Sequence, residues 1–442
     1  MNKYTVNTPE KINVRKRVVT EVPGSKSITN RALLLAALSK GTSRLVGCQF
    51  SDDAKHFLNC LKDLGFTLSF SEETGEVVIT GGRLGNFDGR SINVGSAGTA
   101  ARFLVAMLGF SAGTVTVNSS DQMKKRPMQP LIESLRDCGA EIICLEEEGH
   151  FPLQVTGVGD VNRIPGTVSV NIDKSSQFLS ALLIAGAACG RELNIEVTGS
   201  HGLIYADMTV SMIKDFGVSI TKCDKDGKIS YVIPESDGLK ALNYFVEPDM
   251  SAAAYFYGAA ALTGSTVTVK GVKTESLQGD VQLFDVLLGM GCRIDEDNPE
   301  GVTVTGPEAG RLTGGFEIDM GSFSDQALTV AVLSAYADAP VVIKGIGHIR
   351  LQESDRIEAI KENLARLGVK TEDTDSTIKI IPDISSIHGG DIITYEDHRV
   401  AMSFSLAGLR TEGVTILDPS CVSKTFKDYF EVFDRFLIDL EA

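Results

Sequence analysis

"LKDLGFTL", residues 61–68, reads as the end of a helix, a glycine and the start of a strand. The same string returns as "LRDCGAEI" (135–142), "IKDFGVSI" (213–220), "LLGMGCRI" (287–294) and "LARLGVKT" (364–371). Its glycines, Gly65, Gly139, Gly217, Gly291 and Gly368, recur at intervals of 74, 78, 74 and 77 residues. Such regularity marks an internal repeat. A sixth helix, "FKDYFEVFDRFLIDL" (426–440), runs on without that glycine. Around each helix the order is constant. A strand leads into a polar turn and a first apolar helix, and a β-branched strand follows, as in "TVTVNS" (114–119) and "PVVIKG" (340–345). The second helix comes next, then two strands of period-two alternation such as "EVVIT" (76–80) and "TIKII" (377–381).

Each unit is therefore βαβαββ, and the fold class is α/β. Six copies exceed one core, so two domains of three repeats are expected. The weakest point for a division is "PESDGLKALNYFVEPD" (234–249), and the first twenty or so residues could pair with either half. Strands in every unit rule against an α-solenoid.

The chain has 442 residues, 43% of them hydrophobic and 23% charged, an ordinary globular composition. Its eight cysteines (Cys48, Cys60, Cys138, Cys144, Cys189, Cys223, Cys292, Cys421) show no C-x-x-C and no Cys/His pairing. Buried reduced thiols are expected rather than zinc, and no metal or cofactor is called for. The N-terminus has no signal-peptide core, and the longest apolar runs are about half of a membrane span. A cytoplasmic protein without a membrane partner is expected. The net charge of −16 opposes a nucleic-acid partner. An anionic ligand would need its cations gathered locally.

The six polar turns read "VPGSKSITNR" (22–31), "VGSAGTAAR" (94–102), "NIDKSSQF" (171–178), "EPDMSAAA" (247–254), "GSFSDQAL" (321–328) and "YEDHRVAM" (395–402). Each delivers a helix N-terminus, where free N–H groups and the helix dipole favour anions. Lys26-Ser27 matches the end of a nucleotide P-loop, but Thr20 and Ser25 stand at its two glycine positions, so ATP is a poor reading. Capping accounts for Ser27, Ser176, Ser251 or Ser324 taken singly. It does not account for Arg31, Arg102 and Arg399, nor for Lys124, Lys125, Arg126, Arg350, Arg356 and Lys424 at other loop-to-helix entries. Together these point to a polyanionic site between two domains. Among the acids, Asp355 reads as the cap of "DRIEAIKENLARLG", with Glu358 three residues on. Asp325 reads either as a cap or as a general base or arginine partner, and Glu353 has no capping duty.

With these motifs the chain resembles the 5-enolpyruvylshikimate-3-phosphate synthase family of enolpyruvyl transferases. The likeness rests on "PGSKSITNRALLLAAL", "SAGTAAR", "KRPM", "SSQFLSALL", "SDQAL", "ESDRI", "DHRVAMSFSLAGL" and "KTFKDYF", nearly end to end and in family order. The resemblance implies a two-domain inside-out α/β barrel with three repeats per domain. Residues 23–244 would form one domain on the shikimate 3-phosphate side, and 1–22 with 245–442 the other, with the active site in the cleft. It implies transfer of the enolpyruvyl group of phosphoenolpyruvate to the 5-hydroxyl of shikimate 3-phosphate, with release of phosphate, by a monomer without metal or cofactor.

Carried over by motif, Lys26, Ser27, Arg31, Ser175, Ser176, Gln177 and Asp325 would bind shikimate 3-phosphate. Lys26, Gly98, Arg126, Gln177, Arg356, Arg399 and Lys424 would surround phosphoenolpyruvate. Asp325 would take the hydroxyl proton, and Glu353 with Lys26 or Lys424 would handle protons at the enol carbon. Ser96, His348 and Gln352 depart from the common pattern, the last removing a lysine from the shikimate phosphate environment. His348 reads as a replacement donor or as a satisfied loop histidine. Ser200, in a stretch two residues longer than usual, would be a further contact. The sister family acting on UDP-N-acetylglucosamine, and a non-catalytic scaffold of repeats, fit the motifs less well.

Overall fold

The computed structural model describes residues 3–14, 16–82, 84–199 and 202–442. It divides into two compact units, Gly24–Val246 and Met1–Pro23 with Glu247–Ala442. The middle repeat of the first unit shows the plain pattern. Strand Arg90–Asn93 leads to helix Gly98–Phe110, then strand Thr114–Asn118 runs parallel to the first. Helix Gln129–Asp137 follows, and strands Glu141–Cys144 and Leu153–Thr156 close the sheet antiparallel, in the order first, second, fourth, third. Among the described residues, five of the six sheets have this four-stranded order.

Two repeats borrow their first strand across the sequence. Asn243–Phe245 lies parallel to Gly41–Val46 in the first repeat. Arg17–Thr20 lies parallel to Thr266–Val269 in the fourth. The chain therefore changes unit at Pro23/Gly24 and again at Val246/Glu247. The sixth sheet has three strands, with Lys3–Thr5 antiparallel to Thr415–Leu417, itself parallel to Asp391–Ile393.

The first helices form the core. Every residue of Gly98–Phe110 is buried, as is all but Ser251 of Met250–Thr263. Helices apolar all round belong inside a protein. Within Gly24–Val246, Gly98–Phe110 packs against Gln177–Cys189 and Lys26–Leu38; in the other unit, Ala327–Ala335 packs against Met250–Thr263 and His398–Ser405. Strands such as Thr167–Asn171 alternate buried and exposed, and Thr114–Asn118 alternates buried and half-buried, so the sheets form the outer layer. This is the inside-out arrangement of helices within and sheets without.

The second helices end as the repeated glycine demands. After Asp52–Asp63, Gly65 N–H donates to Lys62 O and Phe66 N–H to Leu61 O. The same bond pair recurs at Gly139, Gly217, Gly291 and Gly368, and all five glycines have φ between +84° and +96°. This is a Schellman closure, which needs the left-handed backbone that glycine adopts without strain. At Gly139 a Cβ would find its nearest neighbour at 3.9 Å; at Gly368 it would lie 2.3 Å from Ser386 O. Gly139→Ala should cost about 1–2 kcal/mol, the left-handed penalty alone. Gly368→Ala should cost more, because backbone must also move. Urea midpoints of the two variants check this, and equal midpoints would contradict it.

Among the described residues no helix is long and apolar enough to cross a membrane, and no His, Cys, Asp and Glu groups converge as metal ligands. All eight cysteines are free thiols. Burial pushes those of Cys48, Cys60, Cys138 and Cys292 up to about 12.

Candidate active site

In Gly24–Val246 the helix beginning at Lys26 is capped by Ser25, whose Oγ accepts from Ile28 N–H. Ser27 thus lies inside the helix rather than capping it. Lys26 Nζ stands 3.6 Å from Asp53 Oδ2, on the next helix of the same repeat. One helical turn on, Arg31 is buried. It donates to Thr209 Oγ1 at 2.7 Å, Ser27 O at 3.0 Å, Tyr205 O at 3.2 Å and Ser180 Oγ at 3.3 Å. All these acceptors are neutral, and among the described residues Arg31 has no carboxylate at ion-pair distance. Burial without a counter-charge pulls its pKa down to about 10.

The second and third repeats meet over Gly98. Arg102 Nη1 donates to Gln177 Oε1 at 2.9 Å and to Gly98 O at 3.2 Å. Gln177 Nε2 in turn donates to Thr99 Oγ1 at 3.3 Å. A Cβ on Gly98 would lie 2.4 Å from Arg126 Nη1 and 2.8 Å from Arg102 Nη1, so two guanidinium groups crowd this glycine. Arg126 is itself buried, and its Nε has no hydrogen-bond partner among the described residues. Ser176 makes no capping bond, while Ser175 Oγ accepts from Gln177 N–H. Ser200 lies outside the described residues. The unit thus gathers Lys26, Arg31, Arg102 and Arg126, with Asp53 beside Lys26.

In the other unit the cations are already paired. Arg356 opens helix Arg356–Arg366, and Asp355 caps it by accepting from Glu358 N–H at 3.0 Å. Its guanidinium donates to Asp397 Oδ2 at 2.8 Å, Glu353 Oε2 at 2.8 Å and Asp325 Oδ1 at 3.1 Å. Burial works against its charge, but the three carboxylates together hold its pKa above the ordinary arginine value. Arg399 donates to Asp325 Oδ2 at 2.7 Å, and Lys424 Nζ lies 3.5 Å from Glu353 Oε1. Asp325 therefore bridges two guanidinium groups, and it does not cap its turn, Ser324–Gln326.

Several expectations change here. Ser251 and Ser324 are not caps: Ser251 Oγ donates to Asp280 Oδ2 at 2.9 Å, and Ser324 Oγ lies 2.7 Å from His348 Nε2. Both hydroxyls turn to side-chain partners, and Asp249 supplies the cap of Met250–Thr263 instead. His348 is thus held by a neighbour of Asp325, while Gln352 is only half-buried. Arg350 does not join the cluster; it pairs with Asp355 at 2.8 Å and with the carbonyls of Thr374 and Asp375. Lys124 pairs with exposed Glu146. Two buried acids escaped the sequence reading, Asp53 and Asp280. Each sits inside an ordinary helix or loop start where acids are common.

The sequence model of EPSP synthase (3-phosphoshikimate 1-carboxyvinyltransferase) matches residues 10–433. The chain belongs to the EPSP synthase family. Among its relatives, the 3-phosphoshikimate 1-carboxyvinyltransferase of Trichormus variabilis is 37% identical over 422 residues, spanning 94% of this chain and 96% of the relative. That of Vibrio atlanticus is 38% identical over 414 residues, spanning 93% and 94%. The structure of EPSP synthase from Acinetobacter baumannii superposes with a TM-score of 0.77 at 26% identity, covering 98% of both chains. The enolpyruvyl transferase NikO from Streptomyces tendae shares the fold, with a TM-score of 0.74 at 16% identity and coverage of 98% and 96%. Family membership gives the charge distribution a chemical reading. One unit of this EPSP synthase homologue holds the buried Arg31 on neutral acceptors, and the other holds Asp325 and Glu353 between cations.

Proposed function

We propose that this chain transfers the enolpyruvyl group of phosphoenolpyruvate to the 5-hydroxyl of shikimate 3-phosphate and releases phosphate. The observation that carries the reading is Asp325 held between Arg356 and Arg399, with Glu353 on the same Arg356 and Lys424 on Glu353. Such a cluster can move protons and stabilise a departing phosphate at one place.

Asp325 takes the proton of the 5-hydroxyl as its oxygen bonds to C2 of phosphoenolpyruvate. The C3 methylene gains a proton, delivered by Glu353 with Lys424 or Lys26. In the second half the C2–O bond to phosphate breaks, C3 loses a proton and the enol returns. Arg126, Arg356 and Arg399 neutralise the phosphoenolpyruvate anion and its leaving phosphate. Lys26, Ser27, Arg31, Ser175, Ser176 and Gln177 hold shikimate 3-phosphate, with His348, Gln352 and Ser200 as further contacts. For Arg31 a phosphate dianion supplies the counter-charge its buried guanidinium lacks. Gly98 leaves the space in which Arg126 meets phosphoenolpyruvate. The enzyme acts on these two small molecules as a cytoplasmic monomer.

Gly98→Ala should therefore raise the KM for phosphoenolpyruvate by about tenfold or more, the value of one misplaced charged hydrogen bond, with a smaller change in kcat. An unchanged KM would show that Arg126 and Arg102 absorb the methyl without cost. The function itself is tested by phosphate release from phosphoenolpyruvate with shikimate 3-phosphate or UDP-N-acetylglucosamine as acceptor. Release with shikimate 3-phosphate alone is expected; release with the sugar nucleotide alone would overturn the reading.

A further inference from the structure

The loop "QGDVQ" (278–282), which no step above uses, binds two neighbouring turns with its side chains. Gln278 Oε1 accepts from Met250 N–H at 2.9 Å, and Gln278 Nε2 donates to Pro248 O at 2.8 Å, fixing the entry to helix Met250–Thr263. Gln282 Oε1 accepts from Ser322 Oγ at 3.0 Å, at the start of the turn that carries Asp325. Between them Asp280 holds both. Its Oδ2 accepts from Ser251 Oγ at 2.9 Å and its Oδ1 from Gln326 Nε2 at 3.2 Å. Gln326 adjoins Asp325 in sequence and is fully buried. Asp280 is buried too, yet among the described residues no cation lies at hydrogen-bond distance from it. A carboxyl group placed there for stability alone would be a poor choice, since an apolar residue avoids the desolvation cost.

We propose that Asp280 is a positioning residue for the transfer: it fixes Asp325 through Gln326 and sets a second negative charge facing Arg399. This inference rests on the enolpyruvyl-transfer reading. The charged groups facing Asp280 are Asp325 and Arg399, while Tyr255 and Asp249 face the same Arg399. Burial first, then the like charge of Asp325, pushes the Asp280 pKa up to about 7, partly opposed by Arg399. The folded protein thus binds a proton here that the unfolded chain, with an ordinary carboxyl near 4, has lost above that pH. Stability from this group is full below pH 4 and falls as pH rises through 7.

The sign separates a positioning role from a structural one. Asp280→Asn keeps the shape and removes the buried charge. It should melt at least as high as wild type at pH 8, gaining relative to wild type between pH 5 and pH 8, while kcat falls about tenfold. Wild-type kcat is expected to change near pH 7, and Asp280→Asn should lose that change. In a double-mutant cycle, Gln326→Met should add little to Asp280→Asn, because the two act through one contact. A variant that melts lower than wild type at pH 8, or that keeps wild-type kcat and pH profile, would overturn the proposal. So would independent, multiplying effects of the two substitutions. Wild-type phosphate release in the same assays separates the two readings. An inactive wild type refutes the transfer function, and an active wild type with an equally active Asp280→Asn refutes the positioning role alone.

Discussion

Asp325→Asn is expected to lower kcat for phosphate release by about a hundredfold to ten-thousandfold, the span of general acid–base contributions. The substitution is nearly isosteric at a side chain 27% exposed, so the fold should persist. It removes the negative charge that bridges the guanidinium groups of Arg356 and Arg399 and leaves one amide oxygen to accept. Both guanidinium groups then have more freedom toward an incoming anion, and the KM for phosphoenolpyruvate should stay level or fall. A drop in kcat with no rise in KM is the pattern of a group that acts in the transition state. If kcat stays within about threefold of wild type, another group takes the hydroxyl proton.

The second large effect is on stability. Arg356 has only 2% of its side chain exposed and touches Asp397, at 0%, and Glu353, at 8%. Removing the cation from a buried network leaves carboxylates unpaired, at about 3–5 kcal/mol. Asp397 keeps Ser354 Oγ at 3.0 Å and Arg399 N–H at 2.9 Å, and Glu353 keeps Lys424, which places Arg356→Ala toward the lower end of that range. Arg350→Ala is the control. Its pair with Asp355, 40% exposed, is worth less than about 1 kcal/mol, and its other partners, Asp373 and the Thr374 and Asp375 carbonyls, belong to exposed residues that water solvates when the guanidinium is gone. Urea unfolding of the two variants should give midpoints clearly apart, with Arg356→Ala the lower and also inactive. Equal midpoints would mean that water or relaxation solvates the acids around Arg356.

The repeat was legible because one backbone requirement recurs. A Schellman closure needs positive φ, glycine supplies it, and the five glycines mark the ends of five helices. The exchanged strands were not legible from their own residues, and only the family resemblance placed 1–22 with 245–442. Arg17–Thr20 and Asn243–Phe245 are short, and nothing local in them selects a partner; the parallel register with Thr266–Val269 and Gly41–Val46 is decided by tertiary topology. In the candidate site the arginines drew attention because capping cannot use them. The serines misled for the opposite reason. A serine at a helix entry is a good cap on average, but here Ser251 and Ser324 serve Asp280 and His348. Arg350 and Arg356 look alike in "HIRLQESDRI"; only the fold sends one to the surface pair with Asp355 and the other to the buried acids. Asp280 carried no signal, since an aspartate after a glycine reads as a turn.

The most direct test follows phosphoenolpyruvate and shikimate 3-phosphate together by proton and phosphorus NMR in deuterated water. Addition makes C3 a methyl group that has gained one solvent deuteron, and elimination removes one of its three hydrons. Phosphate is expected to appear in step with a new enol ether on the shikimate 5-oxygen, and deuterium to enter the transferred methylene. Phosphate released while shikimate 3-phosphate stays unmodified would contradict enolpyruvyl transfer.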